Sequence, residues 1–340
     1  MVMEESNNAI RVTMVTVTYG ERRNFIELVL RAALAQGVEN IILVNNGAIW
    51  DVAELATEIC PTRIELVQLS KNMGSAAGFS AGISKAQEQG AEVIWLLDDD
   101  NRPTEGSMKA LLDAYTELRE THQPDEFAVL AFRPEHQADV AMGASCRRIN
   151  PRRSSFLGFH VFDIPYKLWR RTPLDRRRLN QELPKTIRLD TAIYSGLLFH
   201  RMLVDRIGLP RTDFVLYGDD NEFTYRITRY GNGTHLVTGA VLEDLESSWN
   251  VKRRHGNSFS GLLKGEGDFR AYYGMRNGVF FDTYCKDHNP MMYAINLRLY
   301  LAILFLFSRI YNRHERYRLL SQAVKDGLAK RLGLHPDYPL

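Results

Sequence analysis

Short apolar runs alternate with helix-period stretches through the first hundred residues. Ile10 to Thr18 is rich in Val and Thr, which predicts a strand. Asn24 to Gln36 has apolar residues at helical spacing and stops at Gly37. Ile41 to Val44 predicts a short buried strand, Val52 to Ile59 a helix, and Ile64 to Leu69 a strand. Ser75 to Gln89 predicts a helix closed by Gly90, and Val93 to Leu97 a further strand. Apolar strands that alternate with helices predict a mostly parallel sheet covered on both faces. Ligands of such sheets bind beyond the carboxyl ends of the strands, so the residues just after each strand matter most.

Those residues are small and polar. They read Thr18-Tyr19-Gly20-Glu21-Arg22, then Asn45-Asn46-Gly47, then Asn72-Met73-Gly74-Ser75-Ala76-Ala77-Gly78, then Asp98-Asp99-Asp100-Asn101. Each alone fits an ordinary turn, because Asn and Gly serve turn geometry. Four in succession on one sheet edge point to a site. A dinucleotide fingerprint needs a second glycine after Gly20, and Glu21-Arg22 follows instead; a P-loop is also missing.

Farther along, Ala138 to Lys185 loses periodicity and reads as an irregular insertion. It contains Pro151, Pro165, Pro173 and Pro184, with Phe156, Phe159, Phe162, Tyr166 and Trp169. After residue 280 the pattern turns helical, over Tyr293 to Tyr311 and Arg316 to Leu332.

Composition changes this picture little, but its distribution matters. The 340 residues hold 43 Lys+Arg and 41 Asp+Glu, a net charge of +2, which excludes a polyanion-coating protein. The sum hides ten basic residues between Arg147 and Arg178 against Asp163 and Asp175. Basic residues mixed with aromatics suit a solvated face, an anionic membrane surface or a pyrophosphate-bearing acceptor. No nucleic-acid motif accompanies them, so no nucleic-acid partner is expected. The cysteines, Cys60, Cys146 and Cys285, are odd in number and form no CxxC, which fits a reducing compartment. Met1 to Ala9 is polar and acidic, unlike a signal peptide. The longest apolar run, Leu299 to Phe307, falls short of the ~20 residues of a bilayer span. With Arg298, Arg309 and Arg313 around it, it fits a packed core helix or an interfacial one.

Two acidic clusters carry the candidate chemistry. Asp98-Asp99-Asp100 closes the apolar strand Val93 to Leu97. Alternate residues of an extended segment share a face, so Asp98 and Asp100 address one ligand set while Asp99 points away. Carboxylate oxygens suit Mg²⁺ or Mn²⁺ shared with substrate phosphates. A solvated helix N-terminus is the plainer alternative. The second cluster, Asp219-Asp220-Asn221-Glu222, opens a helix that runs to Tyr230 and ends at Gly231. Asp219 and Glu222 have capping-box spacing, and a general base at a helix start is the functional reading.

In this order and spacing the chain resembles the inverting family 2 glycosyltransferases of GT-A fold, in particular the bacterial galactofuranosyl/rhamnosyl-transferase branch. The carrying residues are Thr16-Val17-Thr18-Tyr19-Gly20, Val44-Asn45-Asn46-Gly47, Asn72 to Phe79, Asp98-Asp99-Asp100-Asn101-Arg102-Pro103, Tyr194-Ser195-Gly196, Gly218 to Phe223 and Tyr272-Tyr273-Gly274-Met275-Arg276-Asn277. The resemblance covers about residues 10 to 280. It implies a Rossmann-like mixed, mostly parallel sheet with helices on both faces, plus a helical C-terminal region. Residues 1–280 would form the GT-A domain, split into a nucleotide-sugar half (1–137) and an acceptor-side half (138–280), with 281–340 as the helical region.

The resemblance also implies roles. Thr18, Tyr19 and Arg22 would line the base and ribose pocket, and Asn46, Asn72 and Gly74 the sugar-nucleotide side. Asp98 and Asp99 would face the nucleotide sugar, and Asp98 and Asp100 would hold Mn²⁺ or Mg²⁺. Asp220 would be the base, with Asp219 and Glu222 orienting hydroxyls. Tyr194, Gly196, Arg276 and Asn277 would line the acceptor side, the last two matching a pattern without an evident physical role. Where the family often has a metal-binding His, this chain offers Asp244 or Glu243, with His235 and His255 as further candidates. The expected activity is transfer of galactofuranose from UDP-galactofuranose to a cell-surface or lipid-linked glycan, in the cytoplasm at the inner face of the cell membrane. The alternatives are a dTDP-rhamnose donor, an inactive sugar-nucleotide- or glycan-binding scaffold, or a nucleotidyltransferase of similar sheet topology.

Overall fold

The computed structural model describes residues 10–141, 149–169, 183–246 and 258–340. Met1 to Asn8, Cys146, Arg147, Arg148, the arginines at 170, 171 and 176 to 178, and His255 lie outside these residues.

The first half follows the hydrophobic pattern. Its order is β1 (Val12–Gly20), α1 (Arg23–Ala35), β2 (Asn40–Ala48), α2 (Val52–Ile59), β3 (Ile64–Gln68), α3 (Ser75–Glu88), β4 (Val93–Asp98), β5 (Asn101–Pro103) and α4 (Ser107–Arg119). Then come β6 (Phe127–Phe132), β7 (Thr186–Leu189), β8 (Leu197–His200), α5 (Met202–Ile207), α6 (Asp219–Tyr230) and β9 (Gly233–Asp244). Among the described residues these strands build one nine-stranded sheet ordered β3-β2-β1-β4-β8-β6-β9-β5, with β7 beside β9. β3, β2, β1 and β4 are parallel neighbours. β8 runs against both β4 and β6, and β9 is parallel to β6. Six strands therefore share one direction, as expected for a mixed, mostly parallel sheet.

The strands are apolar because both sheet faces are covered. Met14 joins a core with Ile26, Val29 and Leu30 of α1, Leu55 of α2 and Leu111 of α4. Its neighbour Val15 points the other way, onto Phe79 and Ile83 of α3, Leu203 of α5 and Phe223 of α6. This alternation is the two-residue period of a strand read against two helical layers. Trp95, fully buried at the centre of β4, belongs to the first core.

A third core joins the end of the chain to the middle segment. It collects α7 (Asp268–Phe280), α8 (Pro290–Ile310) and α9 (His314–Leu328) with Phe156, Phe159 and Val215. The 149–169 stretch is thus docked rather than free: Asn296, buried on α8, accepts from Val161 N (2.9 Å) and donates to Ser154 O (2.8 Å). α7 packs in this core with the helices that follow it. α8 starts at Asn289, whose side chain caps Met292 N, with Pro290 in the first turn. At 21 residues it is longer than the apolar run suggests, and by length and composition it is long and apolar enough to cross a membrane. Here Tyr293, Asn296, Tyr300, Leu304 and Ser308 form one buried face.

Candidate active site

Two acidic groups meet at the carboxyl edge of the sheet. β4 ends at Asp98, and the chain turns through Asp99 and Asp100 into β5. Their side chains differ in exposure, Asp98 at 39%, Asp100 at 22% and Asp99 at 4%, yet Asp99 and Asp100 share one guanidinium and do not split cleanly onto opposite faces. Asp99 points inward, onto Arg22 Nε (2.8 Å). The same guanidinium reaches Asp100 (2.8 Å) and Glu246 (2.7 Å) and lies over the rings of Tyr19 (5.1 Å) and Phe25 (5.2 Å). Burial pushes Asp98 up to about 7, helped by the charge of Asp100. Burial also raises Asp99 and Asp100, with Arg22 pulling both down. Ser195 holds the strand end by accepting from Asp98 N (3.1 Å).

The second group sits at the N-terminus of α6. Gly218, in the left-handed region at φ 81°, precedes the helix, so Asp219 and Asp220 lie in the first turn and no side chain caps it. A helix N-terminus favours the ionised form of both acids. Asp219 is buried and accepts from Ser75 Oγ (3.0 Å). Asp220 is half-buried and accepts from Asn221 N (2.7 Å). Burial and the charge of Asp220 push Asp219 up to about 8. Burial pushes Asp220 up to about 6, opposed by the Asn221 N–H. Asp98 feels the charge of Asp220, so the two acidic groups are neighbours at this sheet edge, and the space beside them is the candidate cleft. Of the helix pair, Asp220 is the more accessible, as a base that must reach an acceptor hydroxyl has to be.

The turn that delivers this helix is strained. Val215 has φ 68° and ψ −65°, and Leu216 N bonds Phe214 O (2.8 Å), a γ-turn of the rarer hand around a β-branched residue. Tyr217 also has φ 62°. Each such residue costs on the order of 1–3 kcal/mol and persists only where its surroundings enforce it. One enforcing contact is Gly74, which lies against Val215 O.

Several expected site residues serve the scaffold. Asn46 donates to Gly74 O (3.1 Å) and accepts from Met73 N (2.8 Å), and Asn72 accepts from Gly74 N (3.0 Å), so both shape the loop after β3. Tyr194 is buried, its ring tilted against those of Phe79 (4.6 Å) and Phe223 (6.0 Å), so it does not line an open acceptor surface. Gly196 lies inside the sheet, bonded to Leu96 and Ala131. Glu222 is buried and paired with Arg226 (3.1 Å), one helical turn on. Arg276 and Asn277 are buried behind the strained turn, not in the cleft. Thr18 keeps its place at the end of β1, where its buried Oγ1 has no partner.

Asp98, 3.8 Å from its nearest cation Arg133, is the carboxylate best placed for a divalent cation shared with substrate phosphates, whereas Asp100 would have to give up its pair with Arg22 (2.8 Å) to join it. Asp244 does not fit as a third ligand: its buried carboxylate takes Arg133 Nη2 (2.5 Å) and Asn101 Nδ2 (2.8 Å). Glu243 pairs with Arg102 (2.5 Å), and His235 packs edge-on against Phe127. Among the described residues, no group of three or more His, Cys, Asp or Glu side chains could hold a metal ion. Sequence reasoning missed Arg133, which also lies 3.8 Å from Asp98, and His136, which feels Asp244 and Asp100. Arg133 directly follows the apolar strand β6 and His136 lies four residues past its end, in the strand-end loop that marks sites in such sheets.

The fold and the paired acids define a glycosyltransferase of GT-A architecture. Residues 13–186 match the family model for "Glycosyl transferase family 2", and the chain belongs to that family. It is 27% identical over 234 residues to the galactofuranosyltransferase GlfT1 of Mycolicibacterium smegmatis, covering 65% of this chain and 66% of the relative, just under two thirds. It is also 27% identical over 199 residues to GlfT1 of Mycobacterium tuberculosis, covering 57% and 56%. Among solved structures, GalNAc-T7 with UDP, GalNAc and Mn²⁺ superposes with a TM-score of 0.51 at 14% identity, over 82% of this chain and 49% of that one, a likeness of fold alone.

Proposed function

We propose that the protein is a metal-dependent inverting glycosyltransferase that moves galactofuranose from UDP-galactofuranose onto a cell-surface polysaccharide or lipid-linked glycan. The observation that carries this reading is the proximity of two acidic groups at one sheet edge, Asp98 and Asp100 after β4 and Asp220 at the start of α6, close enough for Asp98 to feel both charges. The family match and the GlfT1 relatives support the class and the donor. Thr18 and Tyr19 at the end of β1 flank the donor side, and Asp98 and Asp100 would hold Mn²⁺ or Mg²⁺. The cation supplies positive charge to the departing diphosphate. Asp220 takes the proton of the acceptor hydroxyl as its oxygen bonds the anomeric carbon. The bond to the diphosphate breaks on the opposite face, so the centre inverts without a covalent enzyme intermediate. Burial raises both Asp219 and Asp220, and the charge of Asp220 further opposes ionisation of Asp219, so the two acids titrate as a pair, with the more accessible Asp220 in the base role.

A donor screen with Mn²⁺ and Mg²⁺, read as nucleoside diphosphate release, tests this. Acceptor-dependent release from UDP-galactofuranose, abolished in D220N while UDP still binds, is the expected result. Release from dTDP-rhamnose alone would replace the donor. UDP binding without release from any donor would leave an inactive sugar-nucleotide-binding scaffold, and full activity of D220N would remove the base.

For a lipid-linked acceptor the enzyme would work as a peripheral protein at the cytoplasmic membrane face. Exposed Met291, Ile295, Phe305, Leu306 and Ile310 on α8, with Arg298 and Arg309 among them, suit an anionic interface. Salt-sensitive flotation with anionic liposomes is expected, and its absence would refute membrane contact.

A further inference from the structure

We infer that Asn277, oriented by Arg276, is a positioning residue: it holds the Phe214–Gly218 turn in the conformation that presents Asp219 and Asp220 to the cleft. The inference rests on the reading of Asp220 as the base. Asn277 is fully buried, and its amide nitrogen lies within bonding distance of three carbonyls, Phe214 O (2.8 Å), Leu216 O (2.9 Å) and Tyr217 O (2.8 Å). These flank the two residues forced into the left-handed region, Val215 and Tyr217. An amide has only two protons, so the three acceptors share them, and the side chain is saturated by this one turn. Arg276 Nε donates to Asn277 Oδ1 (2.9 Å), which turns the amide nitrogen toward the carbonyls. Arg276 is itself fixed by Gly333 O (2.6 Å) and lies over the Tyr273 ring (4.8 Å). Gly333 N returns to Asp213 O (2.7 Å), just before the turn.

From the opposite side, Ala76 N donates to Val215 O (3.3 Å) and Ser75 reaches Asp219. The turn is thus gripped between the N-terminus of α3, on the donor side, and the C-terminal helical layer. A relaxed turn would swing the start of α6 away from Asp98. A tightly packed core asparagine without this role would need its volume and its bond to Arg276, but not its three acceptors. Asn277→Asp separates the two cases. It keeps the shape and strengthens the pair with Arg276, yet sets a carboxylate against three carbonyl oxygens with no proton between them.

The test compares wild type, N277D and D220N by hydrogen-exchange mass spectrometry, UDP binding with Mn²⁺, and turnover. In N277D, exchange over residues 213–222 should rise about tenfold while β1 and β4 peptides stay unchanged. Turnover should fall about 100-fold, the effect of an ångström-scale misplacement. UDP affinity should stay within about threefold, since Thr18 and Asp98 sit on other elements. Wild-type exchange and turnover in N277D would overturn the inference. Active D220N would instead remove the base reading, while the exchange measurement still decides whether Asn277 holds the turn. Should N277D fail to fold, N277S, whose hydroxyl is one bond too short to reach the three carbonyls, should likewise raise exchange and lower turnover, and wild-type behaviour there would refute the role.

Discussion

Gly74→Ala is the sharpest perturbation of the donor-side grip. A Cβ at Gly74 would stand 2.0 Å from Val215 O and 2.7 Å from Val215 C, at a φ of +87°. The obstruction is backbone, so no side chain can rotate away. The oxygen would have to retreat by about 1.0 Å to reach even the 3.0 Å limit seen for real contacts. Alanine in this backbone region costs about 1–3 kcal/mol, and overpacking a tight site a further ~1–3 kcal/mol. The total, about 2–6 kcal/mol, corresponds to a melting temperature lower by about 3–8 °C in a chain of this size. The retreating carbonyl belongs to the γ-turn four residues before Asp219, so turnover should fall about 100-fold, more than donor binding. Thermal melts followed by circular dichroism and initial rates of diphosphate release read the two effects. A G74A protein that melts within about 1 °C of wild type and turns over at its rate would show that the close approach does not constrain the turn.

Two more outcomes follow from the charges. Arg133→Met strands the buried Asp244 carboxylate and should cost about 3–5 kcal/mol in thermal melts, while R133M/D244L, which removes both charges, should recover most of it; an unaltered melting temperature in R133M would refute the pairing. A base must be ionised to accept a proton, and burial places Asp220 at about 6, so kcat/KM should fall about tenfold per pH unit below pH 6; a profile flat down to pH 4.5 would exclude Asp220 as that base.

Much of this protein was legible before any coordinates. The two-residue and 3.6-residue periods located β1 to β4 and α1 to α3 within a residue or two, because each strand or helix must bury one or both faces regardless of its neighbours, except that β2 runs four residues past Val44, through the polar Asn45-Asn46-Gly47 that read as its turn. The strand-end rule brought Thr18 and the Asp98–Asp100 run to one edge, because parallel strands all point their carboxyl ends the same way. The helix start at Asp219 followed from the acidic run before an apolar period.

Partnership was decided only in three dimensions. Asn46 and Asn72 have the look of ligand-binding residues, yet they bond the loop that carries Gly74. Arg22 looked like a ribose contact and instead crosses 77 positions to Asp99. Asp244 looked like a metal ligand and is held by Arg133, 111 positions away. Arg276 and Asn277 stood as a motif without a role until the turn 60 to 63 residues earlier was seen packed against them. Periodicity reports whether a side chain faces water or core, a property of its own element. Which polar group answers which depends on how distant elements are brought together, and a buried polar side chain takes its role from the partner it meets there.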